Sequence, residues 1–453
     1  MAEPLVALID IGKTNAKLSL IDPHSGAEIR GGRRANAVVQ GPFGRELDVE
    51  AIEQWLIAAL REAPHKERIR CIVPVAHGAA AVLVDRNHAI VTAPDYEDAC
   101  FERVNDAYRA QRDAYASSYS PDLPLGLNLG RQLFYLEQMQ PQLFARVAHV
   151  LLYPQFWAWR LSGVLASEVT SLGCHSDLWL PLQRSFSNLA VARAWNKLFP
   201  PLRFAYDRLG TITAGMSAAT GLDPECQVAC GIHDSNASYL KFLIARDRNE
   251  PFTVVSSGTW TVVMANRADL TGLREERDML ANVDAFGSPV ATARFMGGRE
   301  YEVISGEDAR PNLPALLNVI ERRAMALPSF ASGGPFAGQP GKFLNAETLS
   351  GSERASMATL YLALMTELLI EGLGARGDVL VDGPLATNPF FGSILTECLT
   401  RPVHLSADAG NTRAACFLAG FPDTPAAPLK AATQIAFKGL ADYRESWRRE
   451  IGA

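Results

Sequence analysis

The same strand-turn-strand pattern occurs once in each half of this sequence. The chain starts with LVALIDIGKTNAKLSLID, residues 5–22, where an apolar run, a Gly-Lys-Thr-Asn turn and a second alternating run predict a β-hairpin. FTVVSSGTWTVVMAN, residues 252–266, repeats this design around Ser257, Gly258 and Thr259. Two hairpins of one kind, one opening each half, predict a duplicated architecture.

Between the hairpins, strand signals alternate with helix signals. DVEAIEQWLIAAL, residues 48–60, begins with an Asp cap and has helical apolar spacing. RIRCIVPVAHG, residues 68–78, is a β run that ends in glycine. Residues 131–161 are rich in long apolar and aromatic side chains and predict a mostly helical insertion. The alternation favours an α/β class.

The second half carries a similar set of signals. ERASMATLYLALMTELLIEGL predicts a long helix around 353–373, followed by a strand at 377–383. A turn at PLATN then leads into the helix PFFGSILTECLTR, with Pro389 placed at its first turn.

Length and composition indicate a two-domain globular protein. A chain of 453 residues is long for one core, and we expect domains at 1–244 and 245–453, with the boundary where 241–251 turns polar. Hydrophobic residues make up 48% and charged residues 20%, as in soluble proteins. The net charge of −6 and scattered basic residues argue against a nucleic-acid partner. Without a long apolar run or a basic N-terminal region, we predict a cytoplasmic protein with no membrane partner.

The cysteines do not predict a disulfide framework or a convincing metal site. There are seven, dispersed along the chain. Cys226, Cys230 and His233 form a C-x3-C-x2-H group, but a fourth ligand for zinc is missing, so zinc is disfavoured.

Both hairpin turns have the composition of an anion-binding nest. Gly12, Thr14 and Asn15 offer backbone N–H groups and polar side chains in the first turn. Gly258 and Thr259 do so in the second, and a glycine lets the chain approach an anion closely. A glycine-containing hairpin turn is usually only a turn. Two related turns facing a common cleft would instead grip a polyphosphate from both sides.

Charged residues flank the first turn. Asp10 would orient a hydrated Mg²⁺ or a substrate hydroxyl, or would simply help to form the turn. Lys17 on the second strand would reach a phosphate, although most such lysines are only solvated.

The segment CGIHDSNASYL contains the best candidate for a catalytic group. Asp234 lies where a helix begins, so it is either an N-cap or a base that accepts a proton from a sugar hydroxyl, and both can hold together. His233 beside it is either a buried hydrogen-bonded histidine or a substrate contact. His77 ends a β run, where α/β sheets place their ligands.

Four segments together resemble the FGGY family of carbohydrate kinases: IDIGKTNAK, GIHD, SSGTW and VDGPLATNPFFGSILTECLTRPV. The match runs over nearly the whole chain in the right order. The His-Asp pair and SSGTW look closest to the rhamnulokinase and L-fuculokinase branch. The resemblance implies an actin-like fold of two ribonuclease-H-like domains, with ATP and sugar in the cleft between them.

The resemblance also implies roles for individual residues. It makes Asp234 the proton acceptor and places His233 and Gly78 at the sugar. It places the following residues at the nucleotide: Gly12, Thr14 and Asn15 near the phosphates, Gly258 and Thr259 at the ATP phosphates, and Gly383 and Asn388 at the adenosine.

Some positions depart from the family pattern. Lys13 stands where a small residue is more usual, Asp382-Gly383 replaces a Gly-Gly pair, and AGNTRAACFLAG, residues 409–420, lacks a Gly-Ala-Ala opening. No role is transferred to Arg299 or Glu300. Near the sugar, Trp157 or Trp179 would stack on a pyranose, or both would be core residues.

The sequence therefore predicts an ATP- and Mg²⁺-dependent kinase, monomeric or homodimeric, for a small ketose of the L-rhamnulose or L-fuculose type. A kinase for another ketopentose or polyol is an alternative, as is a non-catalytic regulator that binds ATP or sugar. A regulator has no need for a base at Asp234, which argues against it.

Overall fold

The computed structural model describes residues 3–42, 44–306, 309–406 and 410–452. The chain forms two compact units. The predicted limits, 1–244 and 245–453, are contiguous and stay a prediction, whereas each unit is assembled from three segments. The first unit comprises Met1–Ala245, Ala281–Pro289 and Asn411–Ala426, and the second comprises Arg246–Leu280, Val290–Gly410 and Ala427–Ala453.

Up to residue 245, short strands and helices follow a long N-terminal hairpin. The strands are β1 Leu5–Ile11, β2 Asn15–Ile21, β3 Glu28–Ala35, β4 Val38–Gln40, β5 Arg45–Leu47, β6 Ile69–Ala76, β7 Ala81–Val84, β8 Ile90–Thr92, β9 His149–Leu152, β10 Ser167–Glu168, β11 Trp179–Leu180, β12 Ser185–Phe186, β13 Leu202–Arg203, β14 Arg208–Thr211, β15 Gln227–Ala229 and β16 Ile232–His233. The helices are α1 Val49–Glu62, α2 Asn105–Arg109, α3 Tyr115–Ser118, α4 Leu129–Met139, α5 Pro141–Phe144, α6 Tyr153–Ser162, α7 Val169–Leu172, α8 Asn188–Ala192, α9 Ala214–Thr220 and α10 Asp234–Leu243.

After residue 245, a second hairpin leads into longer helices. The strands are β17 Phe252–Ser257, β18 Thr261–Ala265, β19 Met279–Val283, β20 Pro289–Phe295, β21 Met325–Leu327, β22 Lys342–Leu344, β23 Asp378–Asp382, β24 Val403–Ser406 and β25 Leu429–Ala431. The helices are α11 Gly297–Ser305, α12 Leu313–Arg322, α13 Gly351–Gly372, α14 Pro384–Thr387, α15 Phe391–Leu399, α16 Thr412–Leu418 and α17 Leu440–Ile451.

The two main sheets share the order of their four central strands and differ at their edges. The first runs β14-β15-β6-β1-β2-β3, with β16 also pairing with β6, and the second runs β19-β20-β18-β17-β23-β24-β25. In each, the first hairpin strand pairs antiparallel with the second and parallel with the strand on its other side, β6 or β23. The next strand, β15 or β24, is again parallel, and β14 or β25 beyond it is antiparallel. The predicted duplication is confirmed.

The central strands are buried because both of their faces are covered. All but one residue of β1 and of β6 is buried, which suits parallel strands with long apolar runs. Helix α1 begins where the sequence predicts: the side chain of Asp48 accepts a hydrogen bond from the backbone N–H of Ala51. The apolar residues of α1 belong to the same core cluster as those of β1 and β6.

The predicted long helix in the second half is α13. Its Ser350 and Glu353 form a reciprocal capping box, a helix start that the sequence analysis did not use. Among the described helices, α13 is long and apolar enough to cross a membrane. However, 83% of its most apolar window is buried, as in the core helix of a soluble protein.

The prediction that residues 131–161 are mostly helical is confirmed, because helices α4, α5 and α6 cover most of this segment and strand β9 is a short interruption. One local prediction was wrong in detail. Pro389 lies before α15 instead of in its first turn, because PLAT already forms the short helix α14, which has Pro384 in its first turn.

Candidate active site

Four predicted site residues of the first unit come together where strands end. Asp10 lies near the end of β1 opposite Val75 of β6, and His77 follows β6. His233, in the short strand β16, pairs with Ala76 of β6, and Asp234 comes directly after it. Because β1, β6 and β16 are parallel, their carboxyl ends meet at one edge of the sheet, the usual place for ligands in α/β proteins.

Asp234 is the first residue of helix α10, and its carboxylate is held on one side. Oδ1 accepts a hydrogen bond from the backbone N–H of Ser235 (2.6 Å) and one from the Ser235 hydroxyl (3.2 Å). The Nε2 atom of His233 lies 3.2 Å from the same oxygen. The N-cap position belongs to His233, so the N-cap interpretation of Asp234 was wrong by one residue. A carboxylate in the first turn is still favoured by the helix dipole.

The carboxyl group of Asp10 holds its proton unusually tightly. Burial raises its pKa to about 6, and the negative charge of Asp234 adds to the shift. Lys17, directly opposite on β2, works against that shift. The ammonium group of Lys17 lies 2.7 Å from Glu28 and forms an ion pair with it, and the contact of Lys17 with a phosphate stays a prediction.

His77 and Gly78 follow strand β6 at this edge of the sheet. The ring of His77 is buried against Tyr153, with ring centroids 4.9 Å apart. Burial lowers the pKa of His77 to about 4, so the ring is neutral at physiological pH. Its Nδ1 atom lies 2.9 Å from the carbonyl oxygen of Gly78 and donates to it, which leaves Nε2 as an acceptor. A Cβ atom on Gly78 would lie 2.7 Å from Nε2 of His233, so the glycine makes room for that ring.

The first hairpin turn is closed by a hydrogen bond from the Gly12 N–H to the Asn15 carbonyl (2.9 Å). Thr14 is exposed, and its hydroxyl accepts a hydrogen bond from the amide of Asn15 (2.9 Å). A Cβ on Gly12 would make only an ordinary 3.4 Å contact with the Asn15 carbonyl. The fold itself therefore does not require glycine at position 12. A ligand that approaches the backbone closely would require it.

The sequence analysis missed a cluster beside this turn. Lys13 forms an ion pair with the buried carboxylate of Asp95, which also pairs with Arg45 at 2.8 Å. The Lys13 ammonium lies 4.7 Å from the ring centroid of Tyr96, and that ring lies 5.8 Å from the ring of His77. Burial raises the pKa of Tyr96, and the charge of Asp234 contributes. The unusual Lys13 was the one sequence signal that pointed here.

The structure gives no support to a zinc site. Among the residues that the structure describes, no three His, Cys, Asp or Glu side chains are grouped closely enough to hold a metal ion. Burial raises the pKa of Cys226 to about 12 and that of Cys230 well above its usual value, so both thiols stay protonated.

Magnesium fits the carboxylates better than zinc would fit the thiols. Mg²⁺ keeps several of its waters and is usually bound through one or two carboxylates together with substrate phosphates. Asp10 and Asp234 provide two such groups, and their mutual repulsion, visible in the raised pKa of Asp10, is what a nearby cation would relieve.

The two tryptophans proposed to stack on a sugar are core residues. Trp157 is fully buried against Tyr153 and Phe156. Trp179 is 7% exposed and packs edge-on against Phe186. Trp157 therefore offers no face to a ligand.

In the second unit, the hairpin turn borders a cavity of about 1040 Å³. Gly258 and Thr259 are exposed at its rim. The cavity is lined by the turn, the start of α11, the segment before α12 and the region of α14: Ser257, Gly258, Thr259, Thr261, Gly298, Arg299, Tyr301, Glu302, Arg310, Pro311, Leu362, Pro384, Leu385, Thr387, Asn388 and Pro389. Arg299, to which the sequence analysis assigned no role, is among them.

The glycines around this turn serve different purposes. A Cβ on Gly258 would meet nothing within 4 Å, so the folded chain leaves that space open. A Cβ on Gly298 would lie 2.2 Å from the Gly258 carbonyl oxygen. Gly383 has φ of 79°, and a Cβ there would lie 2.0 Å from the Ser257 carbonyl oxygen. Gly298 and Gly383 are therefore required by the close approach of the backbone, whereas Gly258 is not.

Asn388 lines the cavity while its side chain holds the local structure. Its Oδ1 accepts hydrogen bonds from the N–H groups of Phe390 and Phe391, each at 3.1 Å. Its Nδ2 donates to the hydroxyl of Thr359 at 3.1 Å.

Of the divergent segment 409–420, Ala409 lies outside the described residues, and most of the rest forms α16.

Comparison with known proteins agrees with this architecture. Residues 5–240 match the model of the FGGY family of carbohydrate kinases, N-terminal domain, and residues 249–428 match the model "Carbohydrate kinase FGGY, C-terminal domain". The chain belongs to the FGGY family of carbohydrate kinases. The predicted family, the actin-like two-domain fold and the class of enzyme, a carbohydrate kinase, are confirmed.

Individual relatives differ in how much they share with the chain. A carbohydrate kinase from Novosphingobium aromaticivorans is 34% identical with a TM-score of 0.90, over 100% of this chain and 99% of that one. A xylulose kinase from Lactobacillus acidophilus shares the fold at 14% identity, with a TM-score of 0.79 over 99% of both chains. An L-fuculokinase from Haemophilus influenzae is 29% identical over 140 residues, which is 30% of this chain and 28% of that protein.

Proposed function

We propose that this protein transfers the γ-phosphoryl group of ATP to a hydroxyl of a small ketose of the L-fuculose or L-rhamnulose type. The observation that carries the proposal is the arrangement at Asp234. Two hydrogen bonds from Ser235 hold its Oδ1 at the start of a helix, with Nε2 of the buried His233 3.2 Å from the same oxygen and a second carboxylate nearby. Such a fixed carboxylate is suited to accept the proton of an attacking hydroxyl.

The remaining residues position the substrates. Asp10, His77, Gly78 and His233 share the strand-end edge with Asp234 and would contact the sugar. Gly12, Thr14 and Asn15 in one turn and Gly258 and Thr259 in the other would present N–H groups and hydroxyls to phosphates. Gly383 and Asn388 would shape the adenosine end of the second unit's cavity from behind, because their own contacts are structural.

Lys17 has a different proposed role from the one its sequence position suggested. Paired with Glu28, it provides a fixed positive charge opposite Asp10 and favours ionisation of that carboxyl group. Bound Mg²⁺, held through water by Asp10, would neutralise charge on the triphosphate.

The choice of sugar rests on one relative and on one side chain beside the candidate site. The partial match to an L-fuculokinase favours a deoxyketose, and the match to a xylulose kinase supports only the fold. We propose that Tyr96 discriminates between sugars. Its ring lies beside His77, and the charge of Asp234 contributes to its raised pKa. Other ketopentoses and polyols are the alternative substrates. The cytoplasmic location and the monomeric or dimeric state stay predictions.

A panel of substrates tests the proposal directly. The purified protein is incubated with ATP, Mg²⁺ and one ketose, aldose or polyol at a time, and ADP release is compared with phosphorylated product observed by ³¹P NMR. We expect equal amounts of ADP and sugar phosphate with one or a few ketoses, and neither with the Asp234→Asn variant. Tight sugar binding without ADP release from the wild-type protein would favour the non-catalytic regulator instead.

A further inference from the structure

A buried hydrogen-bond network connects helix α7 to the histidine beside Asp234. The hydroxyl and the N–H of Thr170 both donate to the buried carboxyl group of Glu168. The Thr170 hydroxyl also accepts a hydrogen bond from the backbone N–H of His233 (3.1 Å). Asn236, one helical turn after His233 and 1% exposed, lies between Thr170 and the imidazole ring. The sequence analysis did not single out Glu168, Thr170 or Asn236.

The contacts of Asn236 fix which way its amide points. Its Nδ2 lies 3.4 Å from the carbonyl oxygen of Thr170 and 3.2 Å from Nδ1 of His233. A carbonyl oxygen only accepts, so the atom facing Thr170 must be the amide nitrogen. The same NH₂ group then donates its second hydrogen to Nδ1 of His233, which must be the unprotonated nitrogen of the ring.

The other side of the ring is consistent with this tautomer. Nε2 of His233 lies 3.2 Å from Oδ1 of Asp234, and a hydrogen on Nε2 faces the carboxylate favourably, whereas a lone pair there would be repelled. Because Nδ1 accepts a hydrogen bond from Asn236, the ring is neutral and has one proton to place. Both neighbours favour that proton on Nε2.

We infer that Asn236 is a positioning residue of the reaction, because its amide fixes His233 in the tautomer whose Nε2–H lies beside Oδ1 of Asp234. Within the described part of the chain, Oδ2 of Asp234 accepts no hydrogen bond, and this oxygen is left to receive the substrate hydroxyl proton. The inference rests on the proposed function for the role of Asp234, but the tautomer itself does not depend on it.

The tautomer can be observed without any substrate. Long-range ¹H–¹⁵N spectra of histidine-labelled protein distinguish protonated from unprotonated ring nitrogens, and the His233 signals are assigned by their loss in His233→Gln. We expect a protonated Nε2 and an unprotonated Nδ1 in the wild-type protein at neutral pH. A protonated Nδ1 would overturn the inference, whether or not a sugar substrate has been found.

Kinetics then test whether the tautomer matters. Asn236→Leu has a similar volume but cannot donate to Nδ1, so the ring is free to change tautomer or turn. We expect kcat to fall by about tenfold to a hundredfold, the usual cost of one lost buried hydrogen bond, while the KM for sugar changes less than about threefold. Asn266→Leu is the matched control, because Asn266 is also buried and bridges two backbone groups, in the second unit.

The control separates positioning from general destabilisation. Both variants should lose thermal stability, but only Asn236→Leu should lose kcat per folded molecule. An unchanged kcat in folded Asn236→Leu, or equal losses in the two variants, would refute the positioning role. Failure of the proposed function would appear differently, as the absence of phosphorylated product from any sugar with the wild-type protein.

Discussion

The two hairpin turns lie in sheets with the same order of central strands but have different surroundings. Around the first turn the charged side chains are already paired: Lys13 with Asp95, and Lys17 with Glu28. Around the second, Gly258 and Thr259 are exposed at the rim of a large cavity. The first unit therefore has paired charged side chains beside its hairpin turn, whereas the second unit has an open cavity beside its turn.

The difference extends to the strands beside the turns. In the first sheet the acidic residue is on the hairpin strand, where Asp10 lies opposite Val75. In the second sheet it is on the parallel neighbour, where Asp382 lies opposite Ser256. Duplication preserved the backbone order but not the positions of the carboxylates, so the two units are suited to different tasks. Under the proposed function, proton transfer belongs to the first unit and the adenosine end of the nucleotide to the second.

The largest expected effect comes from removing Asp234, the proposed base of the first unit. Asp234→Asn keeps the shape of the side chain but cannot accept a proton, and loss of a general base commonly costs about 10² to 10⁴ in rate. We expect kcat to fall in this range while the dissociation constant for sugar, measured by calorimetry, changes little. Near-normal turnover would mean that Asp234 only supports the start of α10, and the contrast between the units would lose its chemical meaning.

Asp10 gives a test in stability, without substrates. Its pKa is about 6 in the folded protein and 3.8 when unperturbed, so the folded protein binds the proton more tightly than the unfolded chain does. Wild-type stability is therefore lost as pH rises from about 4 through 6. Asp10→Asn cannot ionise and escapes this loss.

The expected signature is a pH-dependent difference between variant and wild type. The free energy of unfolding of Asp10→Asn relative to wild type should rise between pH 4 and 6 by up to about 3 kcal/mol and stay level above. Urea titrations at several pH values measure it. A difference independent of pH would show that Asp10 is not strained by burial and by Asp234.

Two glycines of the second unit lack a side chain for different reasons. Gly258 leaves space for a ligand, and Gly298 leaves space for the chain itself. A Cβ on Gly258 meets no atom within 4 Å, whereas one on Gly298 would collide with the Gly258 carbonyl. We expect Gly258→Ala to leave thermal stability unchanged and to raise the KM for ATP severalfold. Gly298→Ala should reduce stability as well, because the turn must move. Unchanged ATP kinetics in Gly258→Ala would argue against phosphate binding at this turn.

The sequence predicted the parts of the site that depend on local pattern. The hairpins, the Asp48 cap and the order of strands and helices follow from periodicity and turn residues, the family motifs pointed to Asp234, His233 and Gly78, and the end of a β run pointed to His77. The side-chain pairings could not be foreseen: Lys17 with Glu28, Lys13 with Asp95, and Asn236 with Thr170. These contacts depend on which strands and loops become neighbours, and no spacing in the sequence records that.

The smallest expected effect compares one threonine from each turn. Thr259→Val keeps the shape of the side chain and removes one hydroxyl, so it should raise the KM for ATP by about twofold to tenfold, the cost of one hydrogen bond, with the KM for sugar unchanged. Thr14→Val is the matched change in the first turn. We expect a smaller rise there, because the hydroxyl of Thr14 already has a partner in Asn15. Equal changes in the KM for ATP and sugar in Thr259→Val would contradict its placement at a phosphate, and a larger effect of Thr14→Val would reverse the assignment of the two turns.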